Sequence, residues 1–407
     1  MMSSAVRRAL VLLRIALILV GWLSAPRTAS AYPWMIRHEY TACAQCHTDP
    51  SGGGVLTAYG RGLGAIEMVS RFKKPSHDGE DYGKEGDFLF GATKLPDAVL
   101  AQADLRGLGL YTSNGQASDS RFVLMQADAA LHINAGNFRA QGSLGAFYQG
   151  GAPAWITGGG IDDVHLGSRT HWVGYELKSD DESSSLYFRA GRMNLPFGLR
   201  SIEHTLWARS LTRTDTNSAQ QHGISVAYNR EGWRAEAMAV LGNFQVSPDK
   251  FRDRGATGYL EHSFSTRLAA AVSGQVMHAD RDVQDLAATW RHAYGAFARY
   301  SPSAQWVISA EADFLYNTFQ TKENRTGFVS YATVDYEPWK GLHLLGTGET
   351  AIANFGQGTN FGAWGGAAWF FLPHTDLRLD YVYRSFESDA GSRSSTNALL
   401  AQLHMYL

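Results

Sequence analysis

From about Ala98 to the end of the chain, apolar and polar side chains alternate with period two in segments of roughly 8 to 15 residues. Trp306, Ile308, Ala310, Ala312, Phe314 and Tyr316 alternate with Val307, Ser309, Glu311, Asp313 and Leu315. Trp233, Ala235, Ala237, Ala239 and Leu241 alternate with Arg234, Glu236, Met238 and Val240, and Leu377, Leu379, Tyr381 and Tyr383 with Arg378, Asp380, Val382 and Arg384. Successive side chains of a strand point to opposite faces, so each segment has one apolar and one polar or charged face. About sixteen such segments can be counted, near 98–111, 121–133, 137–149, 170–178, 186–193, 222–230, 232–242, 256–264, 266–278, 285–300, 304–318, 325–337, 341–353, 359–371, 375–386 and 396–407. The connections alternate between short turns, such as Asn134-Ala135-Gly136 and Pro338-Trp339-Lys340, and longer loops, notably about 150–169, 194–221 and 243–255. An even number of such strands, with short turns at one end and long loops at the other, predicts an all-β, antiparallel, outer-membrane β-barrel over 98–407.

Other features of the segments agree with that. Tyr148, Trp172, Trp290, Tyr300, Trp306, Tyr336, Trp339, Trp369 and Phe371 lie near strand ends, as in the aromatic girdles of such barrels. Leu399, Ala401, Leu403, Met405 and Leu407 alternate to the final residue. A soluble sandwich would alternate too, but it would not set long loops against short turns over sixteen strands, and the short repeat of a β-helix is missing. The first connection, Thr112 to Ser120, belongs to the long class, which puts the start of the first strand at the periplasmic end.

Residues 1–31 read as a signal peptide, with Arg7 and Arg8 before the apolar run Ala9 to Val20 and a small-residue site at Ala29-Ser30-Ala31. Arg14 interrupts the run, which is too short for a membrane anchor. Removing this segment takes away Arg7, Arg8, Arg14 and Arg27 and leaves 32 basic against 38 acidic residues, a net charge of −6 that argues against nucleic acid as a partner.

Residues 32–70 carry the chain's only two cysteines, in Cys43-Ala44-Gln45-Cys46-His47. This is the spacing of a c-type haem attachment site. Two thiols add to the two vinyl groups of one haem, and the adjacent imidazole becomes an axial ligand of its iron. Zinc would need about four ligands, and no second Cys or Cys/His pair is present. A Cys43–Cys46 disulfide is the remaining alternative, and it leaves His47 unexplained. Met68, His77, Met35 and His38 lie near the motif as candidates for the sixth ligand, and spacing does not choose among them. Pro50-Ser51-Gly52-Gly53-Gly54 is an irregular turn, and Val55 to Ser70 a short helix weakened by Gly60, Gly62 and Gly64. So small a segment buries little core of its own and must pack against the haem or something larger. Residues 71–97 are rich in charge and glycine and read as a linker.

Elsewhere the chemistry is sparse. The loop Asn194 to Gln221 holds Arg200, Glu203, His204, Arg209, Arg213 and Asp215 and reads as a solvated surface loop in preference to a constriction folded into the lumen. Asp162, Asp163 and His165 make at most a weak cation site. Nucleophile elbow, phosphate loop and HExxH motifs are lacking, so the chain reads as an electron-transfer protein rather than a hydrolase or transferase.

The order of parts resembles the fused monohaem cytochrome–porins of the outer membrane: signal peptide, Ala31-Tyr32-Pro33, one CxxCH, Pro50, then Leu56-Thr57-Ala58-Tyr59-Gly60-Arg61 and a barrel. The best-known members are linked to iron(II) oxidation. That resemblance implies thioether bonds at Cys43 and Cys46, His47 as proximal ligand, and one covalently attached c-type haem. It further implies electron exchange between an extracellular donor or acceptor, plausibly iron, and a soluble periplasmic cytochrome or other redox carrier. The alternative is a solute-permeable porin whose haem-bearing segment is a plug or sensor. The haem segment is expected on the periplasmic side or in the lumen.

Overall fold

The computed structural model describes residues 33–70, 87–148, 154–155, 164–181, 183–201, 203, 205–216, 219–243 and 251–406. The signal peptide, His77, most of the 71–97 linker, Asp162, Asp163 and His204 lie outside these residues. The strands are β1 (Val99–Ser113), β2 (Ser118–Ala135), β3 (Phe138–Tyr148), β4 (Ala154–Trp155), β5 (Val164–Ser168), β6 (His171–Lys178), β7 (Ser184–Met193), β8 (Gln221–Arg230) and β9 (Trp233–Gly242). They continue as β10 (Arg254–Ser265), β11 (Leu268–Ala279), β12 (Thr289–Ser303), β13 (Trp306–Phe319), β14 (Arg325–Trp339), β15 (Leu342–Ile352), β16 (Asn360–Leu372), β17 (Thr375–Glu387) and β18 (Arg393–Tyr406).

These form one closed antiparallel barrel, sealed where β1 pairs with β18 from Asp104↔Tyr406 to Ser113↔Asn397. The wall has sixteen staves, because β5 and β6 pair with successive parts of β3 and act as one interrupted strand, while the two-residue β4 only edges β5. The sixteen strands read from the sequence are therefore the sixteen staves. The first connection is shorter than expected, four residues between Ser113 and Ser118, but it does lie at the long-loop end.

The burial pattern gives each face its medium. In β13, Trp306, Ile308 and Phe314 are exposed on the outer surface, while Val307, Ser309, Glu311, Asp313 and Leu315 are buried inside. An apolar band outside and a polar interior is the arrangement that suits lipid around the wall. Trp233, Trp290, Trp306, Trp339 and Trp369 stand exposed in the girdle positions. Trp172 does not: it is buried in the lumen, edge-on to Tyr187 and under the Arg189 guanidinium.

The interior is filled. Residues 33–70 lie inside the short-turn end as a plug tied to strands around the ring. Arg37 is fully buried and pairs with Asp335 at 2.8 Å and Glu337 at 2.9 Å on β14. Thr48 Oγ1 donates to Gln141 on β3 (2.6 Å), Gln102 on β1 accepts from Leu56 N (2.8 Å), and Arg299 on β12 donates to the Thr41 carbonyl (3.2 Å). Ser70 N donates to Phe370 O at 2.9 Å, closing the segment against β16.

The loop after β7 also turns inward, which corrects the reading of it as a solvated surface loop. Glu311 on β13 accepts from Leu199 N (2.7 Å) and from Arg209 Nη2 (2.6 Å), and Glu349 on β15 accepts from Trp207 N (2.9 Å). Phe197, Leu199, Leu206 and Ala208 pack on Tyr331, Trp364 and Val382 of the wall. The apolar run around Phe197 drives this: left in water it would forfeit the burial that the lumen provides.

Candidate functional site

The motif is built by a tight local frame. Cys43–Gln45 form a 3-10 turn in which Cys46 N and His47 N both donate to Cys43 O, at 3.2 and 3.0 Å. His47 and Leu56 form an isolated antiparallel bridge, and Thr57 N donates to Cys46 O at 2.9 Å. Between them Gly52, Gly53 and Gly54 all take positive φ (99°, 91° and 69°), a conformation other residues adopt only with strain. Thr57 then caps helix α1 (Ala58–Glu67) by accepting from Gly60 N at 3.0 Å. Gly60 lets the helix lie directly on the motif, since a Cβ there would stand 2.4 Å from the Cys46 carbonyl oxygen.

Both cysteines are buried and unbonded to each other. With His47 they line one lumenal cavity of about 250 Å³, near the lower end of ligand-binding sites. Cys43 Sγ accepts from Arg234 Nη1 of β9 at 2.7 Å. His47 lies deep in the protein, and the part that stays accessible faces the cavity. Burial pushes its pKa down to about 4, which keeps the imidazole neutral, the form that ligates metals. The carbonyls of Gly53 and Gly54 lie beside the ring, yet among the described residues Nδ1 makes no hydrogen bond of ordinary geometry.

The sixth-ligand candidates separate. Met35 and Met68 both line the cavity and pack with Cys46, Leu63 and Phe370. His38 is not among the lining residues; it stands instead beside Glu337, Glu67 and Lys340, with its pKa lowered by burial. A c-type haem fits this donor set on three counts: two thiols with a neutral imidazole, pliable thioethers that can make room, and arginines, all lining one cavity. Sequence reasoning named Arg200 and Arg234 but did not bring them to the motif, because each comes from a strand or loop far from it. Among the described residues no three His, Cys, Asp or Glu side chains converge as a metal site.

No protein-family model matches the chain, and no curated protein does. Solved structures do. OmpT, an outer-membrane protein of Vibrio cholerae, superposes with a TM-score of 0.56 at 13% identity, covering 77% of this chain and 99% of that one. An anion-selective porin from Comamonas acidovorans gives 0.54 at 13%, covering 76% and 99%. The outer membrane channel DcaP of Acinetobacter baumannii gives 0.53 at 12%, covering 76% and 97%. At such identities the likeness is one of fold: this chain has the closed barrel of the outer-membrane porins.

Proposed function

We propose that this chain is a porin-like barrel of the outer membrane whose lumenal plug holds one covalent c-type haem for electron exchange across that membrane. The observation that carries the reading is the position of Cys43, Cys46 and His47: they line a cavity inside the barrel, not a surface outside it. The hydrocarbon layer is about 30 Å thick and carries no electrons by itself. When bound, the haem supplies a one-electron couple. Cys43 and Cys46 would tether it, His47 would ligate its iron, and Met68 or Met35 would offer a second ligand. Plug and inward loop would surround it, and burial is one of the levers that set a haem's potential. The partners would be a periplasmic redox carrier at the short-turn end and an extracellular donor or acceptor, iron among them, at the long-loop end.

A second reading is a solute-permeable porin with the haem segment as plug or sensor. The likeness to porins and a channel supports it more directly than it supports the first. Against it stands the filling of the lumen: Arg189, Arg209, Glu236, Glu311 and Asp313 would line an open channel, and all are buried.

Liposomes loaded with an oxidised dye and given an external reductant separate the two. The conduit reading expects inward electron transfer by the wild type and none by Cys46→Ala, with little swelling in sugar solutions. Equal transfer by both proteins, or swelling without any transfer, would sink it in favour of the porin. A haem-stained band on a denaturing gel, from a host that matures c-type cytochromes, checks the premise.

A further inference from the structure

We infer that Arg200, delivered by the inward loop, is the carboxylate-binding residue of the cavity and takes a propionate of the haem; the inference rests on the haem reading above. Three of the cavity's other arginines are paired with carboxylates, and a fourth contacts a histidine. Arg169 pairs with Asp128 at 2.5 Å, Arg234 and Arg299 share Glu261 at 2.7 and 2.6 Å, and Arg106 lies 3.4 Å from His404 Nε2. Arg200 makes no ion pair within hydrogen-bonding distance among the described residues; the Asp49 carboxylate feels its charge, but its Nη1 is buried without any hydrogen-bond partner there. Leaving a guanidinium nitrogen dry and unpaired is costly, so the finished protein should place an anion against it.

Its location suits the tethered group. Arg200 Nη2 and Cys43 Sγ flank one point beside Gly52, at 3.7 and 3.3 Å from it, and the guanidinium carbon sits 5.8 Å from the centre of the Tyr259 ring. The backbone fixes this placement. Arg200 is left-handed, with φ of 51°, and Gly198 two residues earlier has φ of 63° and no room for a Cβ against the Glu311 carboxylate. A loop held to β13 in this way presents a rigid fork, the shape that matches a carboxylate with two parallel hydrogen bonds. The haem site is then completed by the loop, so the extracellular side of the barrel reaches the redox centre through Arg200.

The test is a redox titration of the intact, haem-bearing protein. Removing the compensating charge leaves the propionate's negative charge to stabilise the oxidised haem, so Arg200→Gln should have a lower midpoint potential than wild type. Arg200→Lys, which keeps the charge, should lie between them. A haem-bearing Arg200→Gln with the wild-type potential overturns the assignment. So does a wild-type potential that moves with excess acetate, which would mean that Arg200 takes carboxylates from solution. A wild type without covalent haem overturns the proposed function itself, an outcome read on the gel and not in the titration.

Discussion

Gly60 and Gly64 sit one turn apart on helix α1 and face different surroundings. At Gly60 a methyl group would meet the Cys46 carbonyl oxygen at 2.4 Å, and the obstacle is backbone that the 43–47 turn cannot yield. At Gly64 the nearest atoms are Tyr406 Oη at 3.6 Å and Met68 Sδ at 3.7 Å, ordinary contacts. Gly60→Ala should therefore loosen the plug by about 1 to 3 kcal/mol, the usual cost of overpacking. Gly64→Ala should be neutral, or should stabilise by up to the roughly 1 kcal/mol that separates glycine from alanine inside a helix. Tryptic cleavage after Arg61 under native conditions reads the opened fraction. Faster cutting in Gly60→Ala and no increase in Gly64→Ala is the expected pair, and equal rates would mean that the helix does not lie against the motif. The three glycines were visible in the sequence, but only as helix-weakening residues. That one of them makes room for the motif depends on a contact fourteen residues back in the chain, which no periodicity reports.

At the scale of elements, the inward loop hangs on Glu311. That carboxylate accepts from Leu199 N, Arg209 Nη2 and Tyr331 Oη (3.2 Å), and the Arg209 and Glu311 side chains are both fully inaccessible. Truncating one partner of a buried pair leaves the other charge uncompensated, typically at about 3 to 5 kcal/mol. Glu311→Ala should release the loop, and trypsin should then cut after Arg209 while the strands persist. Retained resistance would place the loop's anchorage in its apolar contacts and its remaining bonds, such as Trp207 N to Glu349. The strands themselves were legible because each carries its own evidence: Trp306 to Tyr316 alternates without reference to any other segment. The loop was not, because its charged residues suggest solvent and their partners lie on distant staves. The signal that would have shown its direction is Leu195, Phe197, Leu199, Leu206 and Trp207, an apolar content out of place in a solvated loop.

For the whole molecule, wall and filling are separable. The sixteen staves close on themselves through strand pairing alone, β1 to β18 included, with no contribution from residues 33–70. Lumenal charges are another matter: Arg299 and Gln141 bond the plug, and Asp335 and Glu337 are held by Arg37. Deleting residues 33–70 should leave a folded barrel with a wetter lumen, seen as single-channel conductance in planar bilayers several-fold above the wild type. If the wild type already conducts as well as the deletion, solutes pass the plug, and the porin reading is the one that holds. If only the deletion conducts, the wild type isolates the 43–47 cavity from bulk flow, as a single redox centre shared between two compartments requires.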